Sequence, residues 1–134
     1  MGIPIDRQTL WLFDSLDKRL RALDDQLAKL IKLGGDYAEK AASEVKVKAA
    51  QQLHDSASNF LKAAGLDVDS PKLSLTATNS DVAVLTTQLS AGFDAYRDRH
   101  VEKRHGGMYW LIKEQGADVE YILVSINTAE PGDD

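Results

Sequence analysis

Residues 7–33 read RQTLWLFDSLDKRLRALDDQLAKLIKL, and this stretch decides the fold. Phe13, Leu16, Leu20, Leu23, Leu27 and Leu30 follow one another at alternating spacings of three and four. That rhythm puts them on one face of an α-helix as an a/d stripe. Asp6 stands where an N-cap carboxylate accepts from the free amides of the first turn. Ile5 and Leu10 occupy the N′ and N4 positions of a hydrophobic staple. Gly34-Gly35 ends the helix, because glycine enters the left-handed conformation at C′ without steric cost.

Working outward, Asp36-Tyr37-Ala38-Glu39 has capping-box spacing and opens a second helix over 37–64, closed by Gly65. Its inward face reads Ala38, Ala42, Val45, Ala49, Leu53, Ala57, Phe60 and Ala64, which is mostly small. A Gly-Gly-Asp connection makes the two helices antiparallel neighbours. A leucine-rich stripe against an alanine-rich one lets the axes approach closely. At 1.5 Å per residue each helix is about 40 Å long. A compact globule of this size has a diameter of roughly 36 Å. The hairpin is therefore expected to span the molecule or to protrude from it.

Residues 66–71 read as a linker, since Pro71 biases Ser70 to an extended conformation. Lys72 to Thr78 alternates polar and apolar, as a strand does. Ser80 is placed to cap a third helix over 81–104 with Val82, Leu85, Leu89, Phe93 and Tyr96 inward and Gly106-Gly107 as its stop. Residues 108–114 and 119–127 read as a β-hairpin around Gln115-Gly116-Ala117-Asp118. Its second strand is apolar on both faces, which predicts a central or doubly covered position. The expected fold is α+β: a long antiparallel helical hairpin followed by a small β-α-β-β unit, in the order α-α-β-α-β-β. The expected divisions are a hairpin over 1–66, the β-α-β-β unit over 67–127 packed with it as one domain, and a disordered tail over 128–134.

The 134 residues suit one domain with a core that needs no staples. Sixteen basic and 21 acidic side chains give a net charge of −5. The chain has no cysteine, which excludes disulfides, thiolate nucleophiles and iron–sulfur clusters and fits a reducing, cytoplasmic setting. No signal peptide and no membrane span are expected. The acidic balance argues against a dedicated nucleic-acid protein.

One basic cluster stands against that balance. Arg97, Arg99, Lys103 and Arg104 fall at the predicted C-terminal end of helix 3, with Asp98 and Glu102 diluting them. They are candidates for anion or nucleic-acid contact, though cations at a helix C-terminus also serve the dipole. His100 and His105 are five apart, not the four that brings two ligands to one helix face, so no metal is expected. His105-Gly106-Gly107 resembles an oxyanion turn in three letters only, and no nucleophile elbow accompanies it. The carboxylate pairs, such as Asp24-Asp25, sit on predicted solvated surfaces. No enzyme and no cofactor are expected.

The strongest functional signal concerns association. Leu10-Trp11-Leu12-Phe13 is apolar all the way round for one turn, and the helix closes on Leu30-Ile31 and Leu33. A two-helix pair needs only one stripe, so Leu10, Trp11, Leu12, Ile31 and Leu33 are interface candidates. Trp11 lies opposite the stripe and is the best anchor. The alternative use of Trp11 and Leu12 is packing on the protein's own sheet. The expected function is a non-enzymatic protein–protein interaction module that self-associates as a homodimer through a coiled-coil-like hairpin. The alternatives are a small acidic inhibitor, of phage anti-defence or immunity type, against a basic partner; nucleic-acid binding through the basic cluster; and a ligand pocket lined by Tyr96, Tyr109, Trp110 and Tyr121.

Overall fold

The computed structural model describes residues 2–32, 37–66, 73–74 and 76–124. Three helices come first: α1 (Arg7–Lys32), α2 (Glu44–Ala63) and α3 (Asn79–His100). Three strands follow: β1 (Val101–Arg104), β2 (Gly107–Ile112) and β3 (Glu120–Leu123). The protein is therefore mixed α+β, helices then strands. It divides into two compact units. One is Trp11–Tyr96, the other Met1–Leu10 together with Arg97–Asp134. Both cuts fall inside helices, so this division is not the one drawn from the sequence at residues 66 and 67.

The helical unit is built on the predicted stripe. Phe13, Leu16, Leu20, Leu23 and Leu27 of α1 are buried, as are Val82, Leu85, Leu89, Phe93 and Tyr96 of α3. At their meeting point Tyr96 stacks on Phe13, with centroids 5.1 Å apart and rings 15° from parallel. Phe93 and Phe60 close on the same cluster at 5.2 and 6.1 Å from Phe13. Offset aromatic pairs of this kind add about 0.5–1.5 kcal/mol beyond their buried area.

Helix α2 corrects the sequence reading. Residues Tyr37–Glu39 form a 3-10 turn, and the α-helix starts only at Glu44. Ser43 is its N-cap, with its hydroxyl accepting from the Lys46 amide at 3.2 Å. The inward face is also rotated about the helix axis from the one read in the sequence. Val47, Ala50, Leu53, Ala57 and Leu61 face inward, while Val45 is 79% exposed and Ala49 is exposed. The small-residue face survives the shift, since Ala50 and Ala57 are fully buried.

No strand occupies the described part of 72–78. Only an isolated bridge joins Thr78 to Ala41. The expected order α-α-β-α-β-β is replaced by helices followed by strands because this segment is held by caps and turns instead of a ladder. Leu73 donates its amide to Gln51 of α2, and the Ala77 carbonyl accepts from Ala42. Thr78 and Asp81 cap each other reciprocally. The Asp81 amide donates to the Thr78 hydroxyl and the Thr78 amide to the Asp81 carboxylate. The cap is Thr78, not Ser80. Buried Asn79 then receives Lys46 Nζ and donates to the Tyr37 carbonyl, which ties the start of α3 to the chain before α2. Contacts of α2 with α3 advance together, from Lys46–Asn79 to Phe60–Tyr96, so these two helices run in the same sense.

The sheet unit is antiparallel with β2 in the middle, in the order β1-β2-β3. Val101 pairs with Trp110 and Arg104 with Gly107 on one side; Tyr109 pairs with Leu123 and Ile112 with Glu120 on the other. Trp110, Leu111 and Ile112 are buried. The apolar strand expected at the centre, β3, is instead the edge, with Tyr121 45% and Leu123 61% exposed. Beyond the end of β1 the N-terminal segment takes over beside β2, with Ile5 bonded to Leu111 and Lys113.

The third helix was expected to run to residue 104. It stops at His100, and Val101–Arg104 forms β1. His105 and Gly106, both at positive φ (46° and 81°), make the two-residue turn into β2. Two successive left-handed residues match the right-handed twist of a hairpin, as in a type I′ turn. Gly106-Gly107 is therefore part of a hairpin and not a helix stop. The second hairpin lies where the sequence placed it, with Gly116 at φ 79° in its loop.

At the start of α1, Asp6 caps the helix as expected. Its carboxylate accepts from the Thr9 amide at 2.7 Å. That bond and the one from the Thr9 side chain hold its pKa below the ordinary value, the side-chain bond contributing most. The Arg7 amide donates to Glu114 at 2.8 Å, and the Arg7 guanidinium pairs with Glu120.

Candidate interaction surface

The five interface candidates separate. Leu10 is 8% exposed and belongs to the core. Trp11 is 67% exposed and Leu12 is 42% exposed. The Ile31 side chain and Leu33 lie outside the described residues, as do the predicted Gly34-Gly35 stop, most of the 66–71 linker and the 128–134 tail. The helical period explains the split between Leu10 and Trp11. At about 100° per residue, Trp11 points almost diametrically away from the face carrying Phe13, Leu20 and Leu27. Leu12 stands at the margin of that face.

A groove of about 380 Å³ lies further along the same helix. Arg19, Ala22, Leu23 and Gln26 form its α1 side, and Ala49, Gln52 and Leu53 its α2 side. Ala22 and Ala49 are exposed, and their small side chains leave the depression open. The sequence carried no signal for this groove, because it depends on which face α2 turns inward, and that face differs from the one read in the sequence.

The basic candidates do not form one face. Arg97 and Arg99 sit in the last turn of α3, Lys103 and Arg104 on β1. Neighbouring strand residues project to opposite faces, so Lys103 and Arg104 point apart. Arg104 lies 4.1 Å from the Tyr121 ring centroid and 3.3 Å from Glu102.

His100 is 7% exposed, and its Nδ1 donates to the Ile3 carbonyl at 2.6 Å. Burial pushes its pKa below the usual histidine value; the Ile3 bond opposes this and Arg99 adds to it. His105 is in the β1–β2 turn, so the two histidines do not share a helix. No group of three or more metal-ligating side chains occurs among the described residues.

The four aromatics considered for a ligand pocket are divided as well. Tyr96 is stacked inside the helical unit, and Trp110 is buried in the sheet unit. Tyr109 and Tyr121 alternate with Trp110 and Ile122, and so occupy the other sheet face.

No family model matches the chain, and no curated protein or solved structure matches it either. Among the described residues no helix is long and apolar enough to cross a membrane.

Proposed function

We propose that the chain is a non-enzymatic protein–protein interaction module that self-associates through α1 of an antiparallel α1–α2 hairpin. The opposite sense of the two helices is supported by Phe13 of early α1 meeting Phe60 of late α2, while the groove is lined by later α1 residues 19–26 and earlier α2 residues 49–53. The observation that carries the reading is the exposure of Trp11 on the face turned away from that pair. A single indole left in water forgoes burial worth roughly 2 kcal/mol or more, and tryptophan is enriched among residues that dominate interfaces.

Light scattering across a concentration series tests this directly. The expected result is a mass that rises toward twice 14.7 kDa with concentration, and that stays at the monomer value for Trp11→Ala with its helical circular dichroism retained. A monomer at every concentration overturns the reading.

A further inference from the structure

We infer that His54 of α2 and Gln88 of α3 form a polar latch across the seam between these two parallel helices, with the Gln88 side-chain NH2 donating to His54 Nε2. The latch is the closing link of a relay that starts at the backbone of Leu73.

Among the described residues, two buried side-chain atoms have no hydrogen-bond partner: His54 Nε2 and Gln88 Oε1. A buried polar atom in that state costs free energy comparable to a lost hydrogen bond, so native proteins hold few of them. These two lie at one level of the helical unit. Lys46 bonds Asn79, and Phe60 packs on Tyr96. His54 stands a little over halfway from the first of these α2 residues to the second. Gln88 stands a little over halfway along the matching stretch of α3.

Both also turn away from α1. Leu53 lines the groove between α1 and α2, and His54 is rotated about 100° from it. Thr86 donates to Asp24 of α1, and Gln88 is rotated about 200° from Thr86. The two orphaned atoms therefore share the seam of α2 with α3.

The neighbouring bonds decide which partner donates. The Leu73 amide donates to Gln51 Oε1 at 2.9 Å, which leaves the Gln51 NH2 to donate to Asp55 Oδ1 at 3.2 Å. An ionised carboxylate only accepts, and His54 Nδ1 stands 3.4 Å from the same Asp55 oxygen. Nδ1 therefore carries the proton of the neutral ring, and Nε2 is left with a lone pair that accepts. A carbonyl oxygen cannot satisfy it. The Gln88 NH2 can, and half a turn about the last side-chain bond of Gln88 exchanges the oxygen for that group. Each link then has one donor and one acceptor, from Leu73 through Gln51, Asp55 and His54 to Gln88. The relay ties the chain ahead of α3 to α2 and α2 to α3. Its last link fixes their axial register, because sliding either helix by one residue separates the pair, whereas apolar contact is non-directional.

The nitrogen resonances of the His54 ring read the latch directly. At about pH 8.5 imidazole is neutral. The expected spectrum has the proton on Nδ1 and a bare Nε2, whose resonance moves in Gln88→Met. A proton on Nε2, or an Nε2 resonance that ignores Gln88→Met, overturns the inference. Stability gives a second reading. His54→Leu and Gln88→Met each leave one buried group unpaired, and each should raise the unfolding equilibrium constant about tenfold, followed by helical circular dichroism. The double variant removes both ends and should lie within about threefold of the unsubstituted protein. Losses that simply add in the double variant overturn the latch.

Discussion

The two tryptophans stand in the two units of the molecule and are handled in opposite ways. Trp110 is on the central strand of the sheet unit and is 3% exposed. Trp11 is on the outside of a helix whose inner face is already full, and is 67% exposed. In the sheet unit Ile3 and Met108 are exposed, and so are Tyr121 and Leu123, which lie on a short edge strand. There Arg104 lies over the Tyr121 ring, and Leu123 comes within 3.3 Å of where a Cβ on Gly107 would stand. A charged cover on a short edge strand is how sheets discourage pairing with other chains. The helical unit carries Trp11 and Leu12 near the start of a long, regular helix, and a helix surface is where a helical partner docks. Exposure alone therefore does not mark an interface; what surrounds the exposed residue decides its meaning.

The largest expected effect breaks the helical side of this comparison. Phe13→Ala removes the ring on which Tyr96 stacks and against which Phe60 and Phe93 close. A buried phenylalanine truncated to alanine costs about 3–5 kcal/mol. Denaturation followed at the helical circular dichroism signal should show that loss. Trp110 emission in a Trp11→Phe background reads the sheet unit in the same experiment. A sheet transition that stays behind sharpens the distinction between the units, and a joint shift makes them one cooperative body.

A smaller effect falls on the sheet unit. A Cβ added at Gly2 would stand 2.8 Å from Leu111 Cδ1 and 2.9 Å from the Val101 carbonyl oxygen. The oxygen is backbone and cannot yield, so Gly2→Ala should destabilise the unit by about 1–3 kcal/mol. An unchanged Trp110 transition would mean that the N-terminal segment does not hold this position in solution.

The pH dependence is the finest discriminator. The folded unit keeps His100 neutral below its usual pKa, so the unfolded chain binds the proton first as pH falls. Stability is full above the unfolded value of 6.5 and declines as pH drops through it toward the lower folded value. Thermal melts from about pH 7.5 to 5.5, read at Trp110, should show the fall, and His100→Gln should flatten it. A profile that His100→Gln leaves unchanged assigns the titration to another group.

The three helices and the final hairpin were legible because their signals are long and local. The α1 stripe, the α3 apolar positions and the Asp6 cap each need only a few turns of sequence. What escaped depended on partners far along the chain. Ser43 begins α2 because the residues before it bond to Ala77 and Thr78, and nothing in Asp36-Tyr37-Ala38-Glu39 announces that competition. Val101–Arg104 continues a helical charge pattern, yet it pairs with Gly107–Trp110 once His105 and Gly106 adopt left-handed turns. Of the candidate surface, Trp11 could be read from periodicity alone. The groove at Ala22 could not, because half of it belongs to α2, whose inward face differs from the one read in the sequence.

The most direct measurement is the emission of Trp11 itself, in Trp110→Phe protein, across a dilution series. Seating the indole in a second copy removes it from water, so the emission should move to shorter wavelength as concentration rises and return on dilution. An emission that stays at the wavelength of a water-exposed indole at every concentration, under conditions where light scattering also reports a monomer, would contradict the account.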